Sequence, residues 1–397
     1  LIQALQILTI NSGSSSIKFA LFEADEGFKK IYAGNIERIG VSNTLFSFTD
    51  YNTNKKDSLG IDASDFEKAA DFLIQHLSEN KFFDNVQAVG HRIVHGMNHP
   101  APTILNEGLL KELQSISNYD PDHLPAEILL IEKISKKYPE LMQVACFDTS
   151  FHATMPDVAK MFALPRHFYE SGIKRYGFHG ISYQYLLEEI KNKIGENESN
   201  SRIIMAHLGS GASVAALIDG KSVDTSMGFT PTGGTVMGTR SGDLDPGVAW
   251  YMMEHEKMNA EQFSNLINHE SGLLGVSGIS ADMQDLLQQE KNETHAAEAV
   301  SLFCYHIKKW MGAFAAILNG LDILIFSGGI GENAPIIRSR ICDGLNFLGI
   351  EIDEEENEKG SFRISTKTSS VKVYVIKTNE ELMIAKSSLS VYKSSEK

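Results

Sequence analysis

The 397-residue chain has little cysteine, little tryptophan and no excess of basic residues. Its three cysteines, Cys146, Cys304 and Cys342, form no CxxC pair and are odd in number, which excludes a disulfide framework and a thiolate metal site. A reducing compartment is expected, with all three in the core. Lys and Arg number 36 against 51 Asp and Glu, a formal charge of -15. Nucleic acid and anionic membrane surfaces are thereby excluded as main partners, because phosphate arrays are bound by basic patches. No run approaches the roughly 18 apolar residues that span a bilayer. The apolar opening residues carry neither a basic n-region nor a small-residue cleavage site, so a cytoplasmic protein is expected.

What is present is ordinary for a globular chain: 42% apolar and 22% charged residues, with disorder expected only at the terminal SSEK. The length exceeds what one core usually supports, so two domains are expected. LQILTI, IKFALF and TLFSFTD read as strands, and ASDFEKAADFLIQHL has apolar residues at helical spacing. Helices follow around EGLLKELQSI and PAEILLIEKISKKY, the second with Pro125 where a helix favours proline, and then the strand QVACF. From about residue 150 the pattern restarts. RIIMAHLGSGASVAALIDGK is strand, small-residue loop, strand, like ILTINSGSSSIKFALFEADE, a weak internal repeat implying two similar domains. A long amphipathic helix is expected through AAEAVSLFCYHIKKWMGAFAAILNG, then the strand LDILIF, the loop SGGIGEN, a helix from Ala334 and Pro335, the strand VKVYVI and a last helix in LMIAKSSLSVY. The expected division is 1–150, joined by a C-terminal helix over 380–397, and 151–379.

Three small-residue loops stand out. SGGIGEN, between a buried strand and a helix, fits a phosphate loop: glycines let backbone N–H groups approach an anion and a helix N-terminus adds its dipole. A close-packed turn would look the same. NSGSSSIKF adds Lys18 as a donor for phosphate oxygens. In GHRIVHG, Arg92 sits between apolar neighbours with His91 and His95 nearby, which suits a guanidinium binding a carboxylate or phosphate in a partly dry pocket. DTSMGFTPTGGTVMGTRSGDLDPG is too irregular for helix or strand and carries Arg240; ordered loops of that length are seldom mere connections. FDTSFH ends a strand on Asp148, a helix cap or a functional acid, and YGFHG holds His179, a core histidine or a functional one. Arginines, histidines and glycine loops suit a strongly anionic ligand. Asp148 and the Glu380–Glu381 pair suit Mg²⁺, which takes few protein oxygens and shares phosphates. Together these point to phosphoryl transfer.

In order and spacing, NSGSSSIKF, GHRIVHG, FDTSFH, YGFHG, HLGSGAS, DTSMGFTP, MGTRSGDLDP, GGIGEN and TNEEL resemble the acetate kinase family. The resemblance implies a duplicated actin-like ribonuclease-H fold of α/β class, two domains about an ATP cleft, and usually a homodimer. It implies Asn11, Asp148 and Glu380 on the Mg²⁺ (or Mn²⁺) side, and Arg92 and Arg240 on carboxylate and phosphoryl oxygens with His179 and His123 beside them. His207, Leu208, Gly209, Ser210 and Gly211, with Gly328, Gly329, Ile330, Gly331, Glu332 and Asn333, resemble nucleotide loops, and Asp282, Met283 and Gln284 lie near base or ribose. Val94, Phe178 and Pro231 resemble the walls of an acyl pocket. Three departures stand against the pattern: APLHNP reads DPDHLP, which places Asp122 where an apolar pocket residue is implied; HLGNG reads HLGSG; and DMR reads DMQ. ATP-dependent, reversible phosphorylation of acetate to acetyl phosphate is the implied activity, with propionate or another short acid as the alternative. An actin- or chaperone-like ATPase would keep the nucleotide loops but leaves Arg92 and Arg240 without a purpose.

Overall fold

The computed structural model describes residues 5–13, 15–24, 27–41 and 43–396. It divides into two compact units, the first built from the stretch ending at Ser150 together with the stretch beginning at Asn379, the second from Phe151–Thr378.

In the first unit β1 (Gln6–Ser12), β2 (Ser16–Glu23), β3 (Lys29–Glu37), β4 (Leu45–Asp50) and β5 (Lys55–Gly60) form an antiparallel meander. On the other side of β1 lie β6 (Val86–Ile93) and, beyond β7 (Thr103–Ile104) in chain order, β8 (Met142–Phe147). The sheet order is β5-β4-β3-β2-β1-β6-β8-β7, with β1, β6 and β8 parallel. Leu8 and Ile10 of β1 bury against Ala69, Ala70 and Leu73 of the helix Phe66–Glu79, whose N-terminus Asp65 caps by accepting from Lys68 N–H. Ile7, on the opposite face, packs with Ala88 and with Ala385 and Leu389 of the helix Glu380–Ser395. A central strand covered on both faces reads as a continuous apolar run, which is why LQILTI is unambiguous.

The second unit has β9 (Ile203–Leu208), β10 (Ala212–Ile218), β11 (Lys221–Thr225), β12 (Ile323–Ser327) and β13 (Lys372–Val375) in the order β11-β10-β9-β12-β13. Two antiparallel pairings precede two parallel ones, in the same order and directions as β3-β2-β1-β6-β8. The weak repeat of the hairpin loops therefore extends over five strands in each unit: the fold is a duplicated actin-like one.

Three local expectations are corrected. GGIGEN is a short helix, Gly328–Asn333, and not a loop. The terminal helix continues through Ser395, so most of SSEK is helical or caps the helix. The strands β3 and β5 were not expected; β5 is exposed throughout, so it has no apolar periodicity to read. All three cysteines are buried and free, and no helix among the described residues is long and apolar enough to cross a membrane. Ser14, inside the NSGSSS turn, lies outside the described residues.

Candidate active site

In the first unit the ends of β1, β6 and β8 bring together residues far apart in sequence. Arg92 is on β6, one residue before its end, and Asp148 follows β8, its N–H donating to Ile93 O at 2.9 Å. Arg92 Nε and Nη2 both donate to Asp148 Oδ2, at 2.9 and 2.6 Å. Its Nη1 faces Ser12 O at 3.4 Å and Asn11 Oδ1 at 3.5 Å. Asn11 Nδ2 in turn donates to Glu380 Oε2 at 2.9 Å, at the first residue of the terminal helix. Burial alone would depress the Arg92 guanidinium, but the charges of Asp148 and Glu380 outweigh it and hold its pKa above the ordinary arginine value. The end of β1 thus has a physical use: the carbonyl of its last residue, Ser12, comes within reach of a guanidinium.

Other expected residues of this unit are placed differently. Lys18 is exposed on β2 opposite Asn11, and its side chain makes no hydrogen bond or ion pair among the described residues. His91 is a core histidine bonded to Gln143 at 2.7 Å, and burial lowers its pKa to about 4. His95 is fully buried, its Nδ1 accepting from Met97 N–H. Val94 is buried, and its N–H donates to both oxygens of Glu127, at 3.1 and 3.2 Å. Asp122 is half-buried, while His123 is buried with Nδ1 2.8 Å from Asp120 Oδ1. Glu127, in the first turn of the helix Leu124–Lys137, and Asp120, four residues ahead of that helix, were missed; both are buried acids.

In the second unit His179 has a left-handed backbone (φ 58°) at the N-terminus of the helix Gly180–Ile194, and its Nδ1 is 2.9 Å from Ser213 Oγ. Its ring lies against His207 of β9, with centroids 4.4 Å apart. His207 Nδ1 is 2.8 Å from Ser182 Oγ, which also meets Thr378 Oγ1 at 2.8 Å. A Cβ on Gly211 would come 3.4 Å from His179 Nε2 and 3.8 Å from Arg240 Nη1, so the β9–β10 turn lies beside both. The Arg240 loop is fastened to that turn by Gly238 N–H to Ser210 O at 2.9 Å. Gly272 underlies it at φ +63°, where a Cβ would be 2.2 Å from Met237 O. Phe178 and Pro231 are buried, and His152, bonded to Ser222 and to Phe178 O, is held neutral by burial with a pKa of about 4.

Gly209, Ser210, Asp282, Met283, Gln284, Gly329, Ile330 and Asn333 border a cavity of about 810 Å³, closed by Leu287, Pro335 and Ile336. Its size and apolar wall suit a nucleotide-sized ligand. Leu208 is fully buried beneath it, Gly331 packs toward Phe326, and Glu332 Oε1 accepts from Gly328 and Thr378 N–H, both at 3.0 Å. Those three residues shape the site from behind. Among the described residues no cluster of three or more His, Cys, Asp or Glu side chains could hold a metal unaided.

The model of the acetokinase family matches residues 6–386. The chain belongs to that family. Acetate kinases of Coprothermobacter proteolyticus and Phocaeicola vulgatus are each 42% identical to it, covering 96% and 98% of this chain and 98% and 99% of their own. Among solved structures, the acetate kinase of Porphyromonas gingivalis (37% identity, TM-score 0.87) and a propionate kinase of Francisella tularensis (36%, TM-score 0.91) each cover 98% of this chain and 100% of their own. Membership in the acetokinase family makes the chain an enzyme of the acetate kinase class, with ATP or ADP among its substrates.

Proposed function

We propose that the protein transfers the γ-phosphoryl group of ATP to the carboxylate of acetate, reversibly and by direct in-line displacement, giving acetyl phosphate. The observation that carries this reading is the state of Asp148: its Oδ2 takes two N–H bonds from Arg92. A carboxylate tied to a guanidinium is a poor base. A sugar hydroxyl would need one, whereas acetate is ionised above pH ~4 and needs none. The work left for the protein is to hold two anions together and to neutralise charge on the transferring group.

In this reading Arg92 and Arg240 meet carboxylate and phosphoryl oxygens, with His179 and His123 as further donors. The glycine-rich cavity holds ATP, its wall of Met283, Leu287 and Ile330 taking the base. Val94, Phe178 and Pro231 line the methyl group. Asn11 and Glu380, already in contact, offer the hard oxygens that Mg²⁺ or Mn²⁺ takes, and phosphates and water would complete the shell. When bound, the metal would offset charge on the phosphates. A cytoplasmic homodimer is the proposed state: the helix Pro246–Glu254 buries none of its residues and exposes Val248, Trp250, Tyr251 and Met253, an apolar face that a second copy would cover.

Propionate is the second reading, supported by the likeness to a solved propionate kinase. Steady-state kinetics on acetate, propionate and glycolate, for wild type and Asp122→Leu, test the assignment. Half-buried Asp122 is expected to leave acetate preferred, with kcat/KM changing no more than about twofold in the variant, the size of an ordinary surface effect. A wild-type preference for glycolate that vanishes in Asp122→Leu would reject acetate.

A further inference from the structure

His123 is held from one side. Its Nδ1 lies 2.8 Å from Asp120 Oδ1, the side chains are 10% and 4% exposed, and among the described residues that is the imidazole's one hydrogen bond. Asp120 Oδ2 is buried with no hydrogen-bond partner among the described residues. Backbone bonds fix the two residues in one turn, His123 N–H to Asp120 O at 3.3 Å and Leu124 N–H to the same oxygen at 3.1 Å. A buried carboxylate with one idle oxygen is costly to keep, which argues against a purely stabilising role. Orienting an imidazole through Nδ1 is what buried carboxylates do for histidines that act through Nε2.

We propose that Asp120 is a positioning residue for His123: by accepting a hydrogen bond from the Nδ1–H it fixes the tautomer and plane of the ring and leaves Nε2 as the nitrogen offered to the substrate. The part of this that concerns catalysis rests on the carboxylate-kinase reading; the tautomer does not. The other charged groups nearby, Glu127 one turn along the helix and Arg92 at the end of β6, leave the imidazole nitrogens uncontacted.

The test uses the full chain labelled with ¹⁵N-histidine, the His123 signals being assigned by their loss in His123→Asn. In wild type the neutral ring is expected to carry its proton on Nδ1. Asp120→Ala and the isosteric Asp120→Asn are each expected to move it toward Nε2, and to lower kcat about 10- to 100-fold with KM for acetate and ATP kept within about twofold, as for other groups that orient a histidine. In a His123→Ala background the same changes should cost nothing further. An unchanged His123 tautomer, an unchanged kcat, or an equal loss without His123 overturns the proposal, and Asp120→Asn keeps the test if the alanine variant does not fold. Absence of acyl phosphate from wild type would instead reject the carboxylate-kinase reading, which the spectra do not depend on.

Discussion

Glu127 shows how much of the site's behaviour is set by a residue that touches no substrate in the proposed reaction. Burial, reinforced by Asp120 and Asp148 and only partly offset by Arg92 and the Val94 N–H, pushes its carboxyl well above the ordinary value of 4.5. A carboxyl raised in the folded state binds its proton more tightly there than in the unfolded chain. Its contribution to stability is therefore complete below pH 4.5 and is lost as pH rises through the folded value. Glu127→Gln keeps an oxygen for Val94 N–H and cannot ionise, so it is expected to gain on wild type as pH rises. Urea denaturation of both proteins between pH 4.5 and 8 checks this; a stability difference that does not change over that range contradicts it. None of this is visible in PAEILLIEK, where nothing in the sequence sets Glu127 apart. Arg92 and Asp148 were legible as functional charges, but they lie 56 positions apart and only the parallel pairing of β6 with β8 makes them partners. His123 has two acids close by in sequence, Asp122 next to it and Asp120 three residues before; in the turn that begins the helix it is Asp120 that meets its Nδ1.

Among the elements, the short helix Gly328–Asn333 departs furthest from its sequence. Three glycines in six residues argue against a helix on propensity alone. The helix is held from outside: Glu332 closes its first turn through Gly328 N–H, and fully buried Arg338 donates Nη1 to Gly331 O and Glu332 O, at 2.8 and 3.0 Å. Asn357 anchors the same guanidinium through Nε and Nη2, both at 2.7 Å. Gly328 is the required residue at the entry, with φ +78° and a Cβ position 2.6 Å from Leu208 O. Because Gly329, Ile330 and Asn333 border the cavity proposed for ATP, Arg338 sets that wall at one remove. Arg338→Met is expected to raise KM for ATP about 10-fold or more, the worth of about 1.5 kcal/mol in bonds to a charged donor, with a smaller change in KM for acetate. Equal effects on both would mean a general loss of folding and not a nucleotide contact. Elements with strong periodicity were legible, LQILTI and LDILIF as buried strands and the helix Thr294–Ile317 from its apolar spacing. What escaped was held by tertiary contacts, as here, or lay exposed at an edge, as β5 does.

For the molecule as a whole, a chain with a formal charge of -15 has to bind two anions in the proposed reaction, so that reading gives the work to cations placed locally, Arg92 and Arg240. The duplicated sheet gives each unit a hairpin turn at the same topological place, and the two have diverged: the strand end before the first turn meets Arg92 through Ser12, while the β9–β10 turn lies beside His179 and Arg240 and borders the cavity of the second unit. In the proposed reaction a carboxylate oxygen accepts the phosphoryl group, and Arg92 and Arg240 stabilise its transfer. Trapping with hydroxylamine tests it most directly. Wild type with ATP, Mg²⁺ and acetate is predicted to yield acetyl hydroxamate in step with ADP, and folded Arg240→Ala to do so about 100- to 10,000-fold more slowly, for a loss of about 3–5 kcal/mol of transition-state stabilisation. ADP released without hydroxamate, or a near-normal rate in Arg240→Ala, would contradict the account.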